Sequence, residues 1–144
     1  MNASLYELSE WSQPNFRAVN KFYRSQKHKG SASGDERVFV IDHQEEVVAA
    51  VRLVPYLDQN QDYYWLRGLC VKSELRGTGL GQKLLAFVEQ QVAQKIEQPI
   101  YCFPYTHLEH FYQKSGYQLL PPQELPAPLL QLFNKYSGKG EGII

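Results

Sequence analysis

Residues 69–85 read Leu-Cys-Val-Lys-Ser-Glu-Leu-Arg-Gly-Thr-Gly-Leu-Gly-Gln-Lys-Leu-Leu. An apolar strand end runs into a turn that holds Gly77, Gly79 and Gly81 within five positions, with Arg76 just before them. Glycine takes positive φ and lets another group approach the backbone closely. The turn then opens a helix, and free N–H groups at a helix start, with the helix dipole, attract anions. The local reading is a phosphate cradle between a strand and a helix. The chain around it must place that strand in a sheet and that helix on it.

Periodicity orders the rest. Residues 3–8 alternate polar and apolar, a short first strand. Ser12 or Asn15 caps the next helix, Pro14 fits its first turn, and Phe16, Val19, Phe22 and Tyr23 recur at helical spacing to about Lys27. Residues 30–34, rich in Ser and Gly, read as a mobile loop and a lid. Residues 37–42 carry Val38, Phe39, Val40 and Ile41, a strand buried on both faces. A polar turn at His43–Glu46 leads to a β-branched strand over residues 47–57, then a turn at 58–62 and a third strand over 63–71. After the glycine turn a helix runs to about Ile96, with Leu80, Leu84, Leu85, Val88, Val92 and Ile96 on one side and Gln82, Lys83, Glu89, Gln90 and Lys95 on the wet side. Pro99 stops it and a strand follows at 100–103. A short helix holds Leu108, Phe111 and Tyr112, closed by Gly116 as a C-cap. Residues 117–120 read as a last strand. Four of the eight prolines crowd residues 121–128, and a helical turn or two follows over 129–136. The expected order is β-α-β-β-β, glycine turn, α-β-α-β: an α/β fold whose antiparallel meander is followed by one βαβ crossover.

Composition removes several function classes. The 144 residues fit one domain over residues 1–144, and the formal net charge is zero with acids and bases interspersed. A general nucleic-acid or membrane-surface binder would show clustered positive charge. The group Arg24, Lys27, His28, Lys29 reads as a solvated helix end. No apolar run approaches the ~20 residues of a membrane span, and no signal pattern opens the chain. Cys70 and Cys102 sit in apolar stretches outside any CxxC pair, as reduced core thiols of a cytoplasmic protein without structural zinc.

Three phosphate motifs compete for the turn. A P-loop needs Gly-Lys-Ser/Thr, but Lys83 lies between Gln82 and Leu84. A dinucleotide fingerprint needs Gly-x-Gly-x-x-Gly on the first strand of a βαβ, whereas this turn comes after three antiparallel strands. The third pattern, Arg/Gln-x-x-Gly-x-Gly/Ala, is met by Arg76, Gly79 and Gly81. With the block Phe111-Tyr112-Gln113-Lys114-Ser115-Gly116-Tyr117 it resembles the GNAT superfamily of acetyl-CoA-dependent N-acetyltransferases, over about residues 37–120.

That resemblance implies a mixed sheet with a splayed central strand pair, here 65–71 and 100–103. It implies a coenzyme A pyrophosphate held by backbone N–H groups of Arg76, Gly77, Thr78, Gly79, Leu80 and Gly81, with Gly79 and Gly81 leaving room for it. Arg76 adds charge or packs the turn. The pantetheine arm would pair with Leu69, Cys70 and Val71, where a strand N–H polarises the thioester carbonyl. Tyr112 matches the tyrosine that protonates the leaving thiolate; the plainer reading is a core aromatic. Family members often carry a Glu on the strand before the motif or use a water chain, and residues 63–71 hold no carboxylate. Ser73 stands where Pro is frequent, and Tyr105 where an Asn contacts the coenzyme. Arg67 binds an acidic substrate group or pairs with an acid on the sheet. His107 and His110, one helical turn apart, suit a metal site poorly without a third ligand, so no metal is expected; His107 is placed to relay a proton. Cys102 is a nucleophile only with a base partner, and otherwise a packed thiol. Specificity would come from the first helix, the loop after it, the 58–62 turn and the C-terminal segment.

The expectation is a cytoplasmic N-acetyltransferase that moves an acetyl group from acetyl-CoA to a primary amine of a small molecule or protein. No nucleic acid or membrane partner is implied, and the chain would act as a monomer or homodimer. The alternative is a non-catalytic acyl-CoA-binding sensor or regulatory module.

Overall fold

In a computed structural model the described residues are 6–11, 16–57, 62–95, 100–104 and 106–137. The elements are β1 (Glu7–Trp11), α1 (Phe16–Ser25), β2 (Arg37–His43), β3 (Glu46–Leu57), β4 (Asp62–Val71), α2 (Leu80–Lys95), β5 (Ile100–Cys102), α3 (Glu109–Lys114) and α4 (Ala127–Ser137). Single 3₁₀ turns lie at Ser73–Leu75, Thr106–Leu108 and Pro122–Glu124. The caps expected at Ser12 or Asn15, most of the 58–62 turn, Ile96 and Tyr105 fall outside the described residues.

The sheet is mixed and ordered β1-β2-β3-β4-β5, antiparallel from β1 through β4 and parallel between β4 and β5. The unbroken apolar run of β2 is explained by its two covered faces. Phe39 and Ile41 join the core under α2, while Val38 and Val40 pack with α1 residues Phe16, Val19, Phe22 and Tyr23. The α2 stripe is buried at Leu80, Leu84, Leu85, Val88 and Val92, each contributing roughly 1.5–3 kcal/mol of transfer free energy. α4 covers the far end of the α1 face, with Leu129 against Tyr63 and Trp65.

The β2–β3 hairpin closes on the pair His43↔Glu46, so its loop is Gln44-Glu45. Both loop residues have positive φ, 54° and 68°, the mirror-image turn that matches strand twist and favours Asn-Gly. Replacing Gln44-Glu45 by Asn-Gly relieves two left-handed side chains. We expect stabilisation by about 1 kcal/mol, read as a higher urea midpoint at unchanged slope.

Four expectations are corrected. Residues 117–120 form no strand: Leu119 and Leu120 are exposed, and Pro121 and Pro122 follow without N–H groups to extend a ladder. As a result the splayed pair β4/β5 lies at the edge of the described sheet rather than its centre. The segment after α3 instead leads to α4, longer than the one or two turns expected. The loop at 30–34 is tied down rather than free. Asn20 clamps Ala32 from both sides, accepting from its N–H at 2.6 Å and donating to its carbonyl at 3.0 Å, and Ser31 O accepts from Arg52 at 2.8 Å.

Candidate active site

The glycine turn leaves β4 through the 3₁₀ turn Ser73–Leu75. The Arg76 Nε donates to Val71 O at 3.0 Å, and the Thr78 hydroxyl donates to Leu75 O at 2.6 Å. Arg76 is therefore a strut of the turn. Gly77 and Gly79 have φ of 81° and 90°, and a Cβ built at either meets nothing within 4 Å. The first helical backbone bond runs from Lys83 N–H to Gly79 O at 3.1 Å. The N–H groups ahead of it stand outside the α2 ladder beside open space, as an anion cradle requires.

Gly81 has a different reason. Its Cβ would come 2.9 Å from Cζ of Phe111. A side chain there would collide with α3, which sits on the first turn of α2. Gln82, expected on the wet face, holds this contact: its amide nitrogen donates to Phe111 O at 2.9 Å and its carbonyl accepts from the Ser115 hydroxyl. The sequence signal was present in the shift from apolar stripe to a lone Gln at the helix start, but its partners lie about thirty residues away.

β4 and β5 pair over three positions only, Tyr64↔Ile100, Trp65↔Tyr101 and Leu66↔Cys102. Beyond Leu66 the strands part, and the β4 edge at Leu69, Cys70 and Val71 has no β5 partner. The cause is a bulge. Arg67 pairs with Arg52 and Cys70 with Ala50, so Gly68 and Leu69 oppose the single residue Val51. Gly68 takes φ 72°, and a Cβ there would sit 2.8 Å from Arg52 Nε. The Tyr23 hydroxyl donates to Gly68 O at 2.7 Å, which anchors the bulge to α1. Sequence reasoning missed Gly68, although a glycine inside an apolar strand is the usual mark of a bulge.

Tyr112 lies in the core cluster under α2, against which Leu69, Val71 and Cys102 also pack. It is 9% exposed and stands edge-on to Phe111 and Tyr117, at centroid distances of 5.2 and 5.7 Å. Burial, with the nearby Cys102 thiol, pushes the Tyr112 phenol well above its ordinary value, so it keeps its proton at neutral pH. Burial alone pushes the Cys102 thiol up to about 12. That thiol stays protonated and packs as a core residue. His107 and His110 are both exposed, and among the described residues no group of three potential metal ligands forms.

The α1 face of the slot carries charge. Arg52, 4% exposed, pairs with Glu36 at 3.1 Å and lies over the Tyr23 ring. Arg67 lies over the Trp65 ring at 4.1 Å. His28, expected on a solvated helix end, is half-buried against Tyr23 and accepts from Gly30 N–H at 3.0 Å. Burial first, and then Arg52, hold its imidazole below the usual range, so it is neutral.

This architecture recurs in solved structures, acetyltransferases among them. Glucosamine-6-phosphate N-acetyltransferase from Arabidopsis thaliana superposes with a TM-score of 0.64 at 14% identity, covering 81% of this chain and 94% of that one. An aminoglycoside acetyltransferase from an uncultured soil metagenomic sample gives 0.63 at 13% identity, over 81% and 93%. ElaA of Escherichia coli gives 0.63 at 21% identity, over 76% and 85%. At these identities the likeness establishes the fold. No curated protein sequence matches the chain. The acetyltransferase (GNAT) domain profile matches residues 34–119, from the end of the α1 loop through the block around Tyr112. With that match spanning more than half of its length, and with the sheet, bulge and glycine turn described above, the chain belongs to the GNAT acetyltransferase family.

Proposed function

We propose that the protein is an N-acetyltransferase that moves the acetyl group of acetyl-CoA to a primary amine. The observation that carries this reading is the adjacency of two features: the open N-terminus of α2 beyond Gly77 and Gly79, and the unpaired β4 edge at Leu69, Cys70 and Val71. The cradle suits a pyrophosphate, and the strand edge suits an amide-bearing arm that runs on from it.

Acetyl-CoA, when bound, supplies the acetyl group as a thioester. The chain's own residues do the rest. N–H groups of the α2 start hold the anionic end, Arg76 keeps the turn in shape, and the β4 edge offers backbone donors to an amide chain and to the carbonyl. The amine must lose a proton, since an alkylammonium has a pKa of ~10.4. Tyr112 gives its proton to the departing sulfur and recovers one from the amine through solvent in the slot. Gln82 is a positioning residue: it fixes α3, and α3 carries Tyr112. Both cysteines are free, which supports the cytoplasmic setting we propose.

Residues 63–71 contain no carboxylate to serve as a base, which favours a sensor that binds acyl-CoA without turnover as the second reading. One experiment separates the two. Acetyl-CoA is expected to raise the melting temperature, and an amine panel is expected to release free thiol that a chromogenic disulfide detects. A melting shift without thiol from any amine would select the sensor. Neither signal would remove both readings.

A further inference from the structure

Arg52 and Arg67 are direct cross-strand partners, so their side chains emerge on the same face of the sheet. Like charges directly opposite one another destabilise a sheet. Only half of this pair is neutralised. Arg52 has Glu36, whereas no carboxylate among the described residues lies within ion-pair distance of Arg67, which rests on Trp65. The Arg52 Nε, in a side chain that is almost wholly buried, faces Gly68 and has no hydrogen-bond partner among the described residues. His28 does not add a compensating acid, and the charge of Arg67 itself helps to hold it neutral.

The location gives this unbalanced charge a use. The face is the one opposite α2. The apolar clusters under α1 and under α4 are separate there, and the arginine pair lies between them. Arg67 is the last residue before the bulge Gly68, at the point where β4 leaves β5. An acceptor that enters from this side meets Arg67 two residues from Leu69, where the strand edge that would hold the thioester begins. Trp65 provides a flat wall against which the guanidinium stacks, partly dehydrated.

We propose that the acceptor is a small amine that also carries a carboxylate or phosphate, and that Arg67, backed by the buried Arg52–Glu36 pair, is the residue that binds this anion. The inference rests on the acetyl-transfer reading for its chemistry, but the binding it asserts does not. It disfavours polycationic acceptors, which the arginine pair would repel.

Matched amines test it: β-alanine against β-alaninamide, phosphoethanolamine against ethanolamine, and spermidine as the polycation. In thiol-release assays the wild-type protein is expected to prefer at least one amine that carries an anionic group over its match without one by about 10–100-fold in kcat/KM, the range of a charged hydrogen bond. Arg67→Gln should erase most of that ratio, and Arg67→Lys should restore part of it. Calorimetry of the same pairs on the protein without acetyl-CoA reads binding independently of turnover. There, selective binding of the anionic member by wild type and its loss in Arg67→Gln support the proposal even if acetyl transfer is absent. Equal handling of each pair by wild type, preference for spermidine, or an unchanged ratio in Arg67→Gln overturns it. Failure of acetyl-CoA to bind or react overturns the acetyl-transfer reading alone.

Discussion

Gly79→Val is expected to weaken acetyl-CoA binding by at least about 100-fold while leaving a folded protein. Two effects act on the cradle together. A β-branched residue is strongly disfavoured at φ 90°, so the turn must rearrange, and its N–H groups no longer converge. If the turn holds instead, the valine methyls occupy the space beside the α2 start. Two charge-assisted hydrogen bonds lost at ~1.5–3 kcal/mol each already amount to that factor or more. The fold should survive because a Cβ at this position meets nothing within 4 Å. The strain of about 1–3 kcal/mol is local to the turn. Titration calorimetry of acetyl-CoA, with a thermal melt of the free variant, measures both parts. Near-native affinity in this variant would mean that the anion is not held at the start of α2.

Tyr112→Phe is expected to lower kcat by about 100-fold, the lower end of the general acid–base range, with the acetyl-CoA dissociation constant unchanged. The lower end is chosen on chemical grounds. The phenol is pushed above its ordinary value by burial, whereas a free thiolate has a pKa of ~8.5. Transfer to the sulfur is uphill and must be coupled to return of a proton from the amine. The same shift sets the sign of the pH dependence. A raised pKa keeps the acid protonated to higher pH, so Tyr112 contributes no fall in kcat between neutrality and pH ~10, the ordinary tyrosine value. Packing should hardly change, since phenylalanine keeps the edge-on contacts to Phe111 and Tyr117. Loss of acetyl-CoA binding would make Tyr112 a structural residue, and an unchanged kcat would remove it from the proton path.

How much of this was legible in the chain depends on the range of each interaction. The α2 stripe, the meander and the glycine turn follow from side-chain period and backbone freedom within a dozen residues, and the structure has them. Residues 117–120 look like a strand locally, yet β5 is only three residues long and prolines follow. The family resemblance gives Gly81 room for the coenzyme, and nothing local in the chain points to a second demand on it. The tertiary structure gives its space to Phe111. Gln82 was read as solvent-facing because it lies off the apolar stripe, yet it binds α3.

By itself, then, the sequence determined the meander of β2, β3 and β4, the helix that packs on it and the turn between them, because each is a statement about φ or about a side-chain pattern along the strand or helix. It also carried the family pattern around Arg76, Gly79 and Tyr112. The tertiary structure alone decided the β4 bulge at Gly68, the parting of β4 from β5, the seat of α3 on Gly81, and the facing of Arg52 and Arg67. These depend on register between strands and on contacts between distant segments. A slip of one residue would send the two arginines to opposite faces. No local propensity encodes that choice; it is made when Val38 to Ile41, Val51 and Leu66 are all buried at once.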